Sequence, residues 1–307
     1  MQSHDQWKYH LYRNAWRFAG PPHEEQKLDK EAYSNLLSMY GLLVRNTYKF
    51  DCQEETCFWY VIKDHYEGLD ALSSRTRNKI HHAFNHFEYR LIPFEELKEK
   101  GYQIIDETYA DYPVHDRKMN HDVFMEYLDQ CHENPFDYWG IFDKETQQMV
   151  GFCTVELWEN CCEYGMTGIL SKYKKNGYYP YYGLYHHLNG YYLEQQKFKY
   201  VSDSARTITE HSHIQDFLIQ NFNFRKAYCQ LVVHYQWWMK LVVKMLYPFR
   251  KIISLPRIKA ILNMEAMQRG EKLAQTRVLF QMVLRPYRGT YWTCCVVSSL
   301  AHYCYTH

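Results

Sequence analysis

Apolar residues recur along this chain with two different periods, and the change from one period to the other predicts a mixed α/β fold. Apolar residues at every second position over residues 41–48 and 57–63 predict two strands, with an acidic turn between them. A helical face follows over residues 69–87, where Ser73 or Ser74 is expected to cap the first turn.

The middle of the chain continues with further strands and helices. A short strand is predicted over residues 88–92, and two helices follow it. The second of these helices is expected to begin near Asn120 or Asp122, since both side chains can accept a hydrogen bond from a first-turn amide. Short polar connections of hairpin length then separate three predicted strands, at residues 138–142, 149–157 and 161–170.

The stretch 171–233 is the most informative part of the sequence. A basic turn leads into a helix that Pro180 opens, because a proline in the first turn gives up an amide that is unpaired anyway. A strand over 199–203, a polar loop and a second helix follow. Asn223 is expected to end this second helix in the left-handed conformation, and a strand over 224–233 completes the series.

Both ends of the chain give weaker signals. Residues 1–40 contain a basic aromatic run and then a Gly-Pro-Pro breaker. Near the other end, residues 227–247 lead from the last strand into a helix that Pro248 ends, and the pattern weakens beyond Leu255. The last residues, 291–307, are apolar and rich in cysteine, which is typical of either a packing segment or a divergent or out-of-frame end.

The order of basic turn, helix, strand, loop, helix and strand, with Asn223-Phe224 after the second helix, resembles the C-terminal half of the GNAT-type N-acetyltransferase fold. It resembles more closely the FemABX-like acyl- and aminoacyltransferases, which share that fold. The segment LSSRTRNKIHHAF is similar to the Arg-containing helix that these proteins place before their first central strand. The resemblance covers about residues 57–233.

This resemblance implies an α/β (α+β) fold with a GNAT-like mixed central sheet flanked by helices. Four parts are predicted along the chain: an N-terminal extension (1–40), a partial GNAT-like half (41–87), the acyltransferase core (88–233), and a helical C-terminal extension with a divergent tail (234–307). Right-handed crossovers are expected to make the strands near 161–170 and 199–203 neighbours.

Composition excludes few classes of function. The chain has 36 basic and 35 acidic residues among 307, so no overall field favours nucleic acid. Thirty tyrosines are expected mainly at half-buried edges of the core. Ten cysteines form no CxxC motif, and the N-terminus lacks an apolar signal core, which together favour reduced thiols and a cytoplasmic location. No apolar run reaches the ~20 residues that span a bilayer.

In the GNAT fold, two central strands separate to hold the acyl donor, and a turn before a helix binds the pyrophosphate of coenzyme A. Helix N-termini suit anions because their amides point at the ligand. The resemblance places donor binding on the turn at 172–182, where phosphates of acetyl-CoA, of another acyl-CoA or of tRNA are expected as co-substrate groups. A solvated basic loop is the alternative. The expected donor-binding residues are Lys172, Lys174, Lys175, Asn176, Gly177 and Tyr181.

Two departures from the GNAT pattern bear on this expectation. The Gln/Arg-x-x-Gly-x-Gly/Ala signature is absent, because only Gly177 stands in the turn and Pro180 follows. Ile219 and Ser212 occupy the positions at which GNAT proteins often have a tyrosine and an asparagine. FemABX-like enzymes do not rely on that tyrosine, so its loss favours a resemblance to them.

Acyl transfer to an amine requires a base, donors for the oxyanion and a proton for the leaving group. Glu163 is the candidate base, with Glu156 next, and an exposed strand end is the alternative for each. Asp203, Ser204 and Arg206 follow a predicted strand, where a mixed sheet usually presents its site. Arg206 can hold an anion bidentately or cap the loop. No metal is expected.

The function predicted from the resemblance is N-acylation of an amine on a small or cell-envelope-related acceptor, with an acyl-CoA or an aminoacyl-tRNA as donor. The basic helix face at 75–82 suits tRNA, although a solvated face is the alternative. A non-catalytic binding or scaffold protein that keeps the fold is the rival function. A third hypothesis, a helix-rich nucleic-acid binder, is disfavoured by the nearly neutral charge.

Overall fold

The computed structural model describes residues 3–4, 9–12, 14–39, 41–110, 119–175, 177–208 and 213–271. The described strands are β1 Ser3–His4, β2 Tyr9–Tyr12, β3 Ala15–Phe18, β4 Leu43–Tyr48, β5 Phe58–Lys63, β6 Phe87–Leu91, β7 Phe136–Asp143, β8 Met149–Leu157, β9 Cys161–Ile169, β10 Tyr200–Ala205 and β11 Arg225–Tyr235. The described helices are α1 Lys30–Met39, α2 Ser74–His86, α3 Phe94–Ala110, α4 His121–His132, α5 Ser171–Lys175, α6 Pro180–Asn189, α7 His213–Phe222, α8 Trp237–Leu246 and α9 Pro256–Gln268.

In the described part of the chain, the strands form one sheet in the order β1-β2-β3-β4-β11-β5-β10-β9-β8-β7-β6. The β3–β4 and β9–β10 pairs are parallel, and the other pairs are antiparallel. This mixed sheet with helices on its faces confirms the predicted fold class. The parallel β9–β10 pair also confirms that these two strands are neighbours.

Strand β11 joins two parts of the sheet. Its first half, from Arg225 to Cys229, pairs with β5, and its second half, from Gln230 to Tyr235, pairs with β4. The N-terminal strands β1–β4 therefore continue the sheet that contains β9 and β10. The division into four predicted parts stays a prediction.

Helices cover both faces of this sheet. A cluster of buried residues that includes Ile80, Leu184 and Leu218 packs α2, α6 and α7 against one face. A second cluster, which includes Ile104 and Phe124, packs α3 and α4 against the other face. Among the described residues, no helix combines the length and the apolar run that crossing a bilayer demands.

Several predicted helix boundaries are confirmed. The Ser73 hydroxyl accepts a hydrogen bond from the Thr76 amide at 3.2 Å, and the Asn120 side chain accepts one from the Val123 amide at 2.9 Å. These contacts satisfy first-turn amides, which is why both residues start helices. Asn223 ends α7 with a φ of +57°.

Other elements were missed or placed differently. The predicted turn at 172–182 contains the short helix α5, and the strand predicted to end at residue 203 extends to Ala205. Strands β2 and β3 are only four residues long, which is too short for a clear alternation. In α9, buried residues run consecutively from Met264 to Met267, so no single apolar face shows in the sequence.

Candidate functional site

Strands β9 and β10 run side by side only over their first residues. Their pairing begins at Tyr200 with Cys161 and ends at Ser202 with Glu163. Both strands continue beyond this point, but no further pair joins them within the described residues. The strands therefore part after Glu163 and Ser202, which confirms the separation expected from the resemblance.

A β-bulge lies on each side of this opening. On β9 the register against β8 shifts near Gly165, where an added Cβ would lie 2.4 Å from the Thr154 hydroxyl oxygen, so this close approach requires glycine. On β10 the register against β5 shifts beyond Ser202, and Ser204 adopts a φ of +66°. Because bulges bend the strands that contain them, the separation arises from both strands.

Two carboxyl groups face each other at the start of the opening. Glu156 on β8 lies directly opposite Glu163 on β9. Burial raises the pKa of the Glu156 carboxyl to about 8, and the negative charge of Glu163 adds to this increase. Burial raises the pKa of Glu163 as well. At neutral pH the two carboxyl groups are therefore not both ionised.

Two arginines from the N-terminal part of the sheet act on this pair. Arg17 on β3 and Arg45 on β4 are directly paired positions. Their positive charges partly offset the increase in the pKa of Glu163, and Arg17 does the same for Glu156. Four strands separate β3 from β9 in the sheet order. The sheet must therefore curl to bring these arginines close to the carboxyl pair.

The Ser204 hydroxyl completes the surroundings of Glu163. It faces the Glu163 carboxylate and lowers that group's pKa, because a hydroxyl donor favours the ionised form. The backbone amide of Ser204 donates to the Ser202 hydroxyl at 3.1 Å. The structure thus brings together two of the four predicted catalytic residues, Glu163 and Ser204, at the point where the strands part.

Asp203 lies on the other face of the sheet, because consecutive residues of a strand point to opposite faces. Its side chain is fully buried. Its negative charge raises the pKa of the Tyr185 and Tyr164 phenols, so these rings of α6 and β9 lie close to it. The Gln215 amide of α7 donates to the Asp203 carbonyl at 3.1 Å. Asp203 therefore belongs to the buried interior beneath α6 and α7.

Arg206 ties the end of β10 to β5. Its guanidinium donates to the Cys57 carbonyl at 2.7 Å and lies 4.0 Å from the centre of the Trp59 ring. Its amide donates to the Trp59 carbonyl at 2.8 Å. Burial lowers the pKa of this guanidinium. These contacts hold Arg206 against β5, and its predicted role in anion binding stays a prediction.

The predicted donor-binding residues lie around α5 and the start of α6. The Lys174 ammonium donates to the Thr108 carbonyl at 3.5 Å, and the exposed Lys172 ammonium lies 4.6 Å from the Tyr173 ring centre. Gly177 has a φ of +73°, and Tyr181 is buried in the core. Lys175 ends α5. Asn176 lies outside the described residues.

The first turn of α6 offers few amides to an anion. Pro180 has no amide hydrogen, and the Tyr182 amide already donates to the Tyr179 carbonyl at 2.9 Å. A cation does lie beside this turn, because the Lys79 ammonium of α2 is 2.8 Å from the Tyr182 hydroxyl and 5.1 Å from the Tyr179 ring centre. The sequence pattern had indicated the basic face of α2 but not this position.

No protein-family model matches the sequence, and no curated protein matches it. Among solved structures, the chain is similar to FemX, with 9% identity over 73% of this chain and 72% of that chain, and a TM-score of 0.47. It is also similar to L-PGS from Bacillus licheniformis, with 10% identity, coverage of 78% and 83%, and a TM-score of 0.42. A tandem GNAT protein from the clavulanic acid biosynthesis pathway matches with 10% identity, coverage of 72% and 74%, and a TM-score of 0.42.

The chain has a GNAT/FemABX-like fold. Its own topology shows this, through the parallel β9–β10 pair that parts and the helix α6 that connects the two strands. Identities of 10% or less transfer no activity, donor or acceptor to this chain.

Sequence reasoning missed Arg17 and Arg45 at this site. Arg45 stands in the run LVRNTY, so a charged residue inside a strand that is otherwise mostly buried was the available signal. No such signal marks Arg17, because β3 itself was not predicted. Only the curl of the sheet brings either arginine to Glu163.

Proposed function

We propose that this chain is an N-acyltransferase that joins an acyl group to an amine at the opening between β9 and β10, with Glu163 as the general base. The observation that carries this proposal is the position of Glu163 and Ser204 where the two strands part. Glu156, with its pKa raised to about 8, lies directly opposite Glu163. Burial raises the pKa of Glu163 too, which makes its carboxylate a stronger base.

The surroundings of the two carboxyl groups give them different protonation states. Ser204, Arg17 and Arg45 all favour ionised Glu163, whereas only Arg17 favours ionised Glu156. The proposed mechanism therefore assigns the base role to the carboxylate form of Glu163, with the proton of the pair on Glu156. Glu163 accepts a proton from the acceptor's ammonium group, and the free amine then attacks the acyl carbonyl. The new C–N bond replaces the bond to the donor, and the second proton that the attacking nitrogen loses passes to the leaving group.

The donor is an acyl-CoA or an aminoacyl-tRNA, and the acceptor is an amine on a small or cell-envelope-related molecule. Both donors carry phosphates, and the basic groups near α6 suit phosphates, since Lys79 lies at its first turn and Lys172 and Lys174 precede it. The sparse amides at Pro180 and Tyr182 fit the pyrophosphate of coenzyme A less well. The donor-binding roles of Lys172, Lys174, Lys175, Asn176, Gly177 and Tyr181 belong to this proposal.

A thermal-shift screen with acetyl-CoA, longer acyl-CoAs and charged tRNA identifies the donor, because a ligand that binds only the folded state raises Tm. Turnover with that donor is then compared between the wild type and Glu163→Gln. We expect the substitution to lower kcat about 10²–10⁴-fold, since it removes the base and keeps the side-chain shape. Tm should stay unchanged or rise, because glutamine avoids the cost of burying a carboxylate.

Glu159→Gln is the matched control, because Glu159 lies exposed in the turn between β8 and β9. It should leave kcat unchanged. Full turnover in Glu163→Gln would show that another group takes the proton.

The second candidate function is a non-catalytic binding protein that keeps the fold. The first turn of α6, with Pro180 and an already bonded Tyr182 amide, favours it, because this turn offers a phosphate fewer donors. In that case a ligand raises Tm, but no acylated product forms with any amine tested. Glu163→Gln then leaves the rise in Tm caused by the ligand unchanged.

A further inference from the structure

The segment 237–255, formed by α8 and the residues that follow it, carries most of the exposed large apolar side chains. Nine such side chains are exposed in the described part of the chain, and only Met39 and Leu91 lie elsewhere. Concentrated exposure of this kind marks an interaction surface in a folded protein. The other seven side chains are Trp237, Trp238, Leu241, Met245, Phe249, Ile252 and Leu255.

One side of α8 is fixed to the rest of the fold. Met239 and Val243 are buried in a cluster with residues of α9. Trp237, Leu241 and Met245 recur every four residues on the other side of the helix, and they are 75%, 54% and 65% exposed. The packing of the inner side thus directs this apolar stripe away from the described part of the fold.

This segment and the first part of α9 together are strongly basic. Between Gln236 and Met264 the sequence holds six basic residues and no Asp or Glu, a net charge of +6 in a chain of net charge +1. Lys240 and Lys244, one turn apart on α8, are both exposed. Arg250 forms an ion pair within the fold. The six residues are Lys240, Lys244, Arg250, Lys251, Arg257 and Lys259.

We propose that this surface, α8 with residues 247–255, docks the protein on an anionic phospholipid membrane. Tryptophan and aliphatic side chains enter the boundary between headgroups and acyl chains, while lysines meet the anionic headgroups. With ten residues, α8 is about 15 Å long, about half of a bilayer's hydrocarbon thickness. The helix therefore lies in the interface and does not cross it.

Charge complementarity favours a lipid surface over other partners. A second copy of this chain would bring another basic segment to a symmetric contact, and like charges would oppose the pairing. A nucleic acid uses cations and stacking aromatic rings, but it offers no apolar phase for Leu241, Met245 and Ile252. An anionic bilayer provides both negative charge and an apolar phase.

Flotation of the full chain with vesicles tests this proposal. One set contains phosphatidylcholine with about a quarter phosphatidylglycerol, and the other contains phosphatidylcholine alone. We expect binding to the anionic set that weakens between about 0.1 M and about 0.5 M NaCl. The pair Leu241→Ser and Met245→Ser should lower the partition coefficient at least about tenfold. Lys240→Gln and Lys244→Gln should each lower it about fivefold on anionic vesicles.

Matched controls come from exposed residues elsewhere. Met39→Ser with Leu91→Ser removes two exposed apolar side chains from α1 and β6, and it should leave binding unchanged. Lys98→Gln with Lys100→Gln removes two exposed lysines of α3 and should have at most a small effect. Circular dichroism should show all variants folded, since the substituted side chains are well exposed.

Three results would overturn the proposal. The first is wild-type chain that does not float with anionic vesicles, and the second is binding that the Leu241 and Met245 substitutions leave unchanged. The third is a different occupant of the surface. A dimer in light scattering that these two substitutions dissociate would indicate a second copy. Salt-sensitive RNA binding that depends only on Lys240 and Lys244 would indicate a nucleic acid.

Discussion

At the scale of single residues, Glu156 and Glu163 show how burial and neighbouring charges change the pKa values of two identical side chains. Both carboxyls are taken from water by the curled sheet, which raises both pKa values. Arg17, Arg45 and Ser204 each offset part of the increase in the pKa of Glu163, whereas only Arg17 does so for Glu156. Neither effect is a property of the glutamates themselves.

The raised pKa of Glu156 makes stability depend on pH. The folded state holds the proton up to a pKa of about 8, whereas the ordinary pKa of a glutamate, which applies to the unfolded chain, is 4.5. Between these values the folded state binds more protons than the unfolded state, so this group's contribution is fully present below pH 4.5 and is lost as pH rises towards 8. We expect Glu156→Gln to be more stabilising near pH 8 than near pH 5, by on the order of 3 kcal/mol.

Urea denaturation of the wild type and Glu156→Gln at several pH values measures this difference. Glu159→Gln, in the exposed turn next to the pair, is the control and should show no such trend. A difference between Glu156→Gln and the wild type that is constant with pH would mean that Glu156 keeps an ordinary pKa in the folded protein.

At the scale of elements, α6 shows how a helix predicted from local signals is held by contacts that are not local. Pro180 starts the helix as predicted, but the helix continues into a π-helical segment, Gly190–Gln195. Tyr192 in this segment accepts a hydrogen bond from the Trp139 indole at 2.8 Å and donates one to the Asp137 carboxylate at 2.7 Å. These partners on β7 fix the segment at the end of α6.

The contact between α6 and β6 depends on a glycine. An added Cβ at Gly183 would lie 2.2 Å from the Tyr89 hydroxyl oxygen and 2.6 Å from its ring. The Tyr89 hydroxyl also donates to the Pro180 carbonyl at 3.0 Å, which limits how far the ring can move. We expect Gly183→Ala to lower the free energy of unfolding by about 1–3 kcal/mol, measured by urea denaturation.

Gly190→Ala, at the C-terminal end of α6, is the matched control. A Cβ there meets the Tyr66 ring at 3.4 Å, an ordinary contact, and Gly190 already has helical angles. Alanine should therefore leave stability unchanged or raise it by up to about 1 kcal/mol. Equal effects of the two substitutions would show that α6 does not pack closely on Tyr89.

Local signals predicted much at this scale. Ser73, Asn120, Pro180 and Asn223 act within one or two turns of their own position, so the sequence is sufficient to place them. Helix α9 was missed because its buried residues do not form a stripe. Helix α9 packs on β11 with one side and on α8 with another. Its apolar residues therefore lack the helical period on which the prediction relies.

At the scale of the whole molecule, β11 makes the sheet continuous. It pairs with β5 through one half and with β4 through the other, so the strands that carry Arg17 and Arg45 belong to the same hydrogen-bonded sheet as β9, which carries Glu163. The candidate site therefore depends on both parts of the sheet being folded together.

This continuity predicts cooperative unfolding. In urea, far-ultraviolet circular dichroism and tryptophan fluorescence should give the same midpoint, because β11 cannot leave one part of the sheet without exposing the other. Two separate transitions would show instead that strands β1–β4 open independently of the core that contains β9 and β10.

The sequence by itself determined the type and order of most elements between residues 41 and 247, because hydrophobic period, caps and prolines act locally. It also placed Glu163 at the start of one central strand and Ser204 directly after another. Only the tertiary structure decided that Arg17 and Arg45 reach Glu163 and that Asp203 points to the opposite face. Those relations follow from the curl of the sheet and from bulges on β9 and β10. Both features depend on contacts between residues that are far apart in the chain.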